Sequence, residues 1–102
     1  MLLLMRRVKM SDFKGTPGPW RYSDTWGDVK AGSGRLIAEL IVNGDQDANG
    51  NLVAAAPELL EACLRMRNQL QAAGYEAEKG SMNPTKCLLA QVEESITKAL
   101  GQ

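Results

Sequence analysis

The stretch DANGNLVAAAPELLEACL, Asp47 to Leu64, decides how the rest of the chain is read. Leu52, Ala56, Leu59, Leu60, Cys63 and Leu64 recur at the i, i+4, i+7, i+8, i+11, i+12 spacing, which puts them on one face of an amphipathic helix. Pro57 interrupts that helix. It has no N–H to donate four residues back and it pushes Ala56 away from helical geometry, so a straight helix through it is disfavoured by about 3 kcal/mol. Either the helix bends there or a new one begins. A start at Pro57 would make Ala56 the N-cap, a poor residue for it, and would leave the helix formers Ala54 to Ala56 in a connection. One helix over about 46–73, kinked at Pro57, is therefore expected, with Asp45 or Asp47 capping its start and Gly74 closing it. Gly50 falls in its first turns and costs about 1 kcal/mol against alanine, which makes that end the weaker part.

Downstream, Asn83 is a strong N-cap and Pro84 an ideal first helical residue, so a second helix is expected over 84–100. Its buried stripe is Leu88 or Leu89, Val92, Ile96 and Leu100; Glu94 and Lys98 form an i, i+4 pair and Gly101 ends it. Upstream, SDFKGTPGP (11–19) is dense in turn formers and reads as an extended strap, with Pro17 and Pro19 fixing the approach to Trp20. Three strands of a meander follow over about 20–42: Trp20 to Asp24, Gly27 to Ala31, and Arg35 to Val42, with Gly32-Ser33-Gly34 as the second turn. In the last, Leu36, Ala38, Leu40 and Val42 share one face and Ile37 and Ile41 the other, the pattern of a central strand covered on part of both faces. The fold class is α+β: a small three-stranded antiparallel meander followed by a two-helix antiparallel hairpin.

With 102 residues the chain reads as one domain over 11–102, near the size at which oligomerisation often adds needed burial. The first ten residues, MLLLMRRVKM, place their charges after a short apolar run, unlike a signal peptide, and are far short of a membrane span. They read as a non-native or disordered N-terminal extension, with the functional start at Met10. Twelve Lys plus Arg balance twelve Asp plus Glu, so no global field attracts a polyanion, and non-specific nucleic-acid binding and membrane association are not expected. Absence of histidine removes the commonest general base and metal ligand. Cys63 and Cys87 lack a CxxC or histidine context for zinc. In a helix hairpin closed by 74–83 they are offset by roughly seven residues, or about 10 Å, beyond disulfide reach. Two reduced thiols and residence in the cytoplasm follow.

Candidate chemistry is sparse. Gly32-Ser33-Gly34-Arg35 has the composition of a phosphate cradle but lacks the Walker lysine and its strand-loop-helix setting, and reads first as a hairpin turn. Glu58 and Glu61, or Glu93 and Glu94, are paired carboxylates that on amphipathic helices belong to the solvated face. More specific is the cluster of Trp20, Tyr22 and Trp26 with Arg21 and Arg35, which holds three of the five aromatic residues within a seven-residue span. Such a set can fill a core, anchor a protein interface, or stack a nucleobase and hold its phosphates. These five are the candidate partner- or ligand-binding residues. No catalytic residue, metal site or cofactor is expected, and the protein is not expected to be an enzyme.

Two motifs carry a family resemblance. Thr16-Pro17-Gly18-Pro19-Trp20, and Asp47-Ala48-Asn49 followed by Leu52-Val53-Ala54-Ala55-Ala56-Pro57-Glu58-Leu59-Leu60-Glu61-Ala62, resemble a family of small proteins encoded by tailed phages and prophages, with a TPGPW-like opening and an ANARLIAAAPELLEAL-like helix. The sequence departs from that pattern at Gly50 and Asn51, where the family has Ala and Arg. The resemblance implies phage origin and an accessory, non-structural role: a binding protein that antagonises or modulates a host defence system, as anti-CRISPR proteins do by contacting a host protein, or by sequestering a nucleotide signal. The alternative is a small oligomeric structural or regulatory protein without a ligand. Leu64 and Met66 beside Leu59 and Leu70 put apolar residues on more than one flank of the hairpin, so a homodimer or higher homo-oligomer is expected.

Overall fold

The computed structural model of the protein describes residues 9–102. Most of the segment read as an N-terminal extension, residues 1–8, lies outside the described residues. The domain expected over 11–102 contains two compact units, one of Gly15–Leu59 and one of Leu60–Gln102 with the N-terminal segment ending at Lys14.

The first unit holds the sheet. Strands β1 (Trp20–Ser23), β2 (Asp28–Ala31) and β3 (Leu36–Glu39) pair antiparallel in the order β1-β2-β3, the expected meander. At the first turn the Gly27 N–H donates to the Ser23 carbonyl (2.7 Å), and Gly27 holds a φ of 67° that any other residue would adopt only with strain. Gly34, at φ 91°, closes the second, its N–H donating to Ala31 O (2.8 Å).

The middle position belongs to β2, not to β3 as its apolar pattern suggested. Val29 is fully buried and Ala31 nearly so, with Lys30 exposed between them, whereas Leu36 in β3 is about half exposed. Beyond Glu39 the last ladder bond is Leu40 N–H to Gly27 O (2.8 Å). Ile41 and Val42 run past the end of β2, are exposed, and pair with no strand among the described residues. Opposite Val29 and Lys30 the register passes from Ala38 to Leu36, so Ile37 bulges from the edge strand β3, a device that discourages further pairing.

Helix α1 (Gln46–Ala54) packs on β1 and β2. Asp45 occupies its N-cap position, but neither expected carboxylate caps by a side-chain bond. The Asn43 side chain instead accepts from Asp45 N–H (3.0 Å), and Gln46 Oε1 accepts from Gly44 N–H (2.9 Å), so a tight loop stands in for the cap. Asp47 is drawn away by Tyr22, whose hydroxyl donates to its carboxylate (2.7 Å).

The kink expected at Pro57 takes the form of a one-residue break at Ala55, after which α2 runs from Ala56 to Ala72. Pro57 cannot donate to the carbonyl of Val53, and the ladder resumes with Leu59 N–H to Ala55 O (3.0 Å). The apolar stripe predicted from Leu52 to Leu64 does not survive the break. Leu52 and Leu59 are exposed, while Leu64 is buried and Leu60 and Cys63 are half-buried.

In the second unit α2 and α3 (Pro84–Leu100) form the expected hairpin around Leu64, Val92 and Ile96, with Met10, Leu60, Cys63 and Leu100 packed against them. Leu89 is also fully buried. Each boundary is chemically marked. At the end of α2 the Tyr75 N–H reaches Leu70 O (3.1 Å) and the Gly74 N–H reaches Gln71 O (3.0 Å), a Schellman closure on a glycine at φ 94°. Asn83 Oδ1 accepts from Thr85 N–H (2.9 Å) ahead of Pro84, and Gly101 ends α3 at φ 74°. The expected Glu94–Lys98 pair is absent among the described residues; Glu94 instead meets Lys79 (3.5 Å). Both cysteines are free, and the Cys87 thiol donates to Ser81 O (3.0 Å).

Candidate functional site

The two motifs that carry the family resemblance meet inside the sheet unit. A Cβ placed on Gly18 of the TPGPW segment would lie 2.8 Å from Pro57 Cβ, so only glycine lets the strap approach the buried proline. The Gly18–Pro19 peptide is cis. Trp20 is half-buried, and its indole N–H donates to the Thr16 carbonyl (3.2 Å), which ties strap to strand.

A second close approach fixes α1. A Cβ on Gly50 would fall 2.6 Å from Tyr22 Cγ and closer still to Cδ1 and Cε1. The glycine that looked like a defect in the helix is the seat of the Tyr22 ring. Beyond the ring, hydrogen bonding to Asp47, then burial and the charges of Asp47 and Asp24, push the Tyr22 hydroxyl up to about 12.

With Tyr22 and Val29 turned toward α1, alternation sends their neighbours to the opposite face of the sheet. Arg21 and Lys30 are direct cross-strand partners there, as are Ser23 and Asp28. A concavity of about 690 Å³ opens over this face, within the range of small-ligand sites. Its lining is polarised. Arg21, Lys30 and the Gly32/Gly34 turn mark one end; Ser23, Asp24, Asp28 and Trp26 mark the other. Tyr22 and Asp24 also border a hollow of about 300 Å³ with Asp47 and Asn51.

Of the five candidate residues, Arg21, Tyr22 and Trp26 line the large concavity. Trp26 is 78% exposed, unusual for so large an apolar side chain. Arg35 follows the glycine turn on the surface without lining the concavity, and Trp20 serves the strap. Lys30, Asp24 and Asp28 join the lining without having been singled out in the sequence, since only the strand register places Lys30 beside Arg21. The glycine-rich turn is a hairpin turn, as its composition first read: the Gly32 and Gly34 N–H groups donate to Pro19 O and Ala31 O and are not free to cradle an anion. Glu61 pairs with Arg65 (3.1 Å) on an exposed helix face. Among the described residues no cluster of three potential metal-ligating side chains occurs, and no helix is long and apolar enough to cross a membrane.

An antiparallel meander with a helix on one face, followed by a helical hairpin, defines a small α+β protein whose sheet, among the described residues, carries α1 on one face and the concavity on the other. The chain belongs to the phage protein family described as Salmonella phage P22 protein Y8K6, whose model matches residues 5–102. No curated protein and no solved structure matches it.

Proposed function

We propose that this phage protein is an accessory binding protein that antagonises or modulates a host system, and that its recognition surface is the open face of β1 and β2. One observation carries the reading: the face turned away from α1 bears an open concavity with a solvent-exposed tryptophan at one end and two cations side by side at the other. Tryptophan and arginine dominate binding hot spots, because they bring large contact area or fixed donor geometry at small entropic cost. Binding rather than turnover is the reading that suits a sequence without histidine, the commonest general base. Its place of action on this reading is the host cytoplasm.

Affinity capture of the tagged protein from host cells, beside an Arg21→Thr/Trp26→Ala variant, tests this. Targets enriched by the parent and lost by the folded variant are expected; equal enrichment by both would remove the open face from the function. The ligand-free oligomer reading draws on the apolar edge at Leu36, Ile41 and Val42. It predicts self-association as the one interaction recovered.

A further inference from the structure

We propose that the open face binds a nucleotide carrying a guanine-type base, with its phosphate between Arg21 and Lys30, its ring on Trp26 and its base edge on the carboxylate of Asp24. This rests on the open face being the recognition surface and names the ligand class it takes.

The cation pair is the first ground. Like charges directly opposite across two strands repel and destabilise a sheet, and Arg21 and Lys30 occupy such positions. Arg21 has no ion-pair partner among the described residues, and Lys30 has only a loose one, Asp28 at 3.9 Å. An anion seated between them turns repulsion into two charge-assisted contacts, and a phosphate matches the guanidinium fork.

Polarity of the groove is the second ground. Asp24, in the turn that follows β1, borders the concavity at the end away from Arg21 and Lys30. Its carboxylate is exposed and accepts hydrogen bonds only. Trp26, two residues further on, offers an aromatic plane of the kind on which bases stack. Guanine presents two adjacent N–H donors on its pairing edge, where adenine presents an acceptor beside its amine, so a carboxylate selects the former. Asp28, the other acid of the lining, faces Lys30 and has a side chain only 15% exposed, which leaves Asp24 as the edge reader.

The test uses the intact chain with GMP, AMP and inorganic phosphate as probes, followed by calorimetry and by tryptophan fluorescence, with Trp20 as the unperturbed reference. GMP is expected to quench Trp26 and to bind about tenfold or more tighter than AMP, the worth of one good charge-assisted bond, with phosphate weaker than both. Arg21→Thr, in which a β-branched residue replaces the unpaired cation, should keep the fold by circular dichroism and lose GMP binding. Asp24→Asn should collapse the GMP preference while leaving AMP affinity in place. Equal binding of GMP and AMP, or a preference untouched by Asp24→Asn, overturns the proposal. If no nucleotide binds while Trp26-dependent capture of a host protein persists, the nucleotide is wrong and the surface stands; if both fail, the surface itself is wrong.

Discussion

Replacing Gly50 by alanine should weaken the protein, against the rule for exposed helices. Helix propensity alone favours alanine over glycine by about 1 kcal/mol in a helix interior. In this helix the added Cβ would sit 2.6 Å from Tyr22 Cγ, a distance real Cβ contacts do not reach. Overpacking of this kind costs about 1–3 kcal/mol. If the ring swings aside, its bond to Asp47 is lost as well, worth about 0.5–1.5 kcal/mol. Subtracting the propensity gain leaves a net destabilisation of about 1–3 kcal/mol. For a domain of this size that lowers Tm by roughly 5–20 °C, a change that thermal and urea denaturation resolve readily. The decisive comparison is the same change in a Tyr22→Ala background. With the ring gone, Gly50→Ala should reverse sign and stabilise by about 1 kcal/mol, giving a coupling energy well beyond that of independent sites. A Gly50→Ala protein as stable as the parent, or an effect identical in both backgrounds, would refute the packing of α1 on β1 through this pair.

Other predictions follow from single contacts. Gly18→Ala should cost about 1–3 kcal/mol by urea denaturation, because its Cβ meets Pro57, whereas Gly32→Ala, with no neighbour nearer than 3.9 Å, should be nearly neutral. Tyr22, held protonated up to about 12 against its ordinary 10.0, contributes stability that is complete below about pH 10 and is lost as pH rises through 12. An ultraviolet titration should show that late phase, and Asp47→Ala should bring it down. Asn83→Ala removes the N-cap of α3 and should lower stability by about 1 kcal/mol, restored by Asn83→Ser. Light scattering at micromolar concentration should give a dimer, as the exposed Leu59, Met66 and Leu88 on the helices suggest; a strictly monomeric mass contradicts this.

Local chemistry was legible in the sequence, and tertiary choices were not. Asn83-Pro84, Gly74 and Gly101 each announce a helix boundary through their own backbone or side chain, and the structure uses all three. The meander was readable from its turn glycines. Which strand is central was not, because Leu36 to Val42 looks like a buried strand until the short β2 leaves its last residues without a partner. Asp45 and Asp47 are good capping types, yet a loop amide and a distant tyrosine decide what they do. Gly50 illustrates the limit best. A propensity scale sees a weakened helix there, and only the arrival of Tyr22 from 28 residues upstream, the difference of their numbers, shows a fitted contact. The candidate site was half visible: Arg21, Tyr22 and Trp26 advertise themselves by type, while Lys30 is an ordinary surface lysine until the register sets it opposite Arg21.

Photo-crosslinking in host cells shows whether the open face of β1 and β2 is where this protein meets its target. A photoreactive residue placed at Thr25, exposed in the turn beside Trp26, is compared with the same residue at Glu61 and at Ser95 on exposed helix positions. Intact-mass spectrometry reads any adduct, whether a macromolecule or a small ligand. A discrete adduct from position 25 that disappears with Arg21→Thr is expected, and none from positions 61 and 95. An adduct confined to the helix positions, with position 25 silent, would contradict that placement.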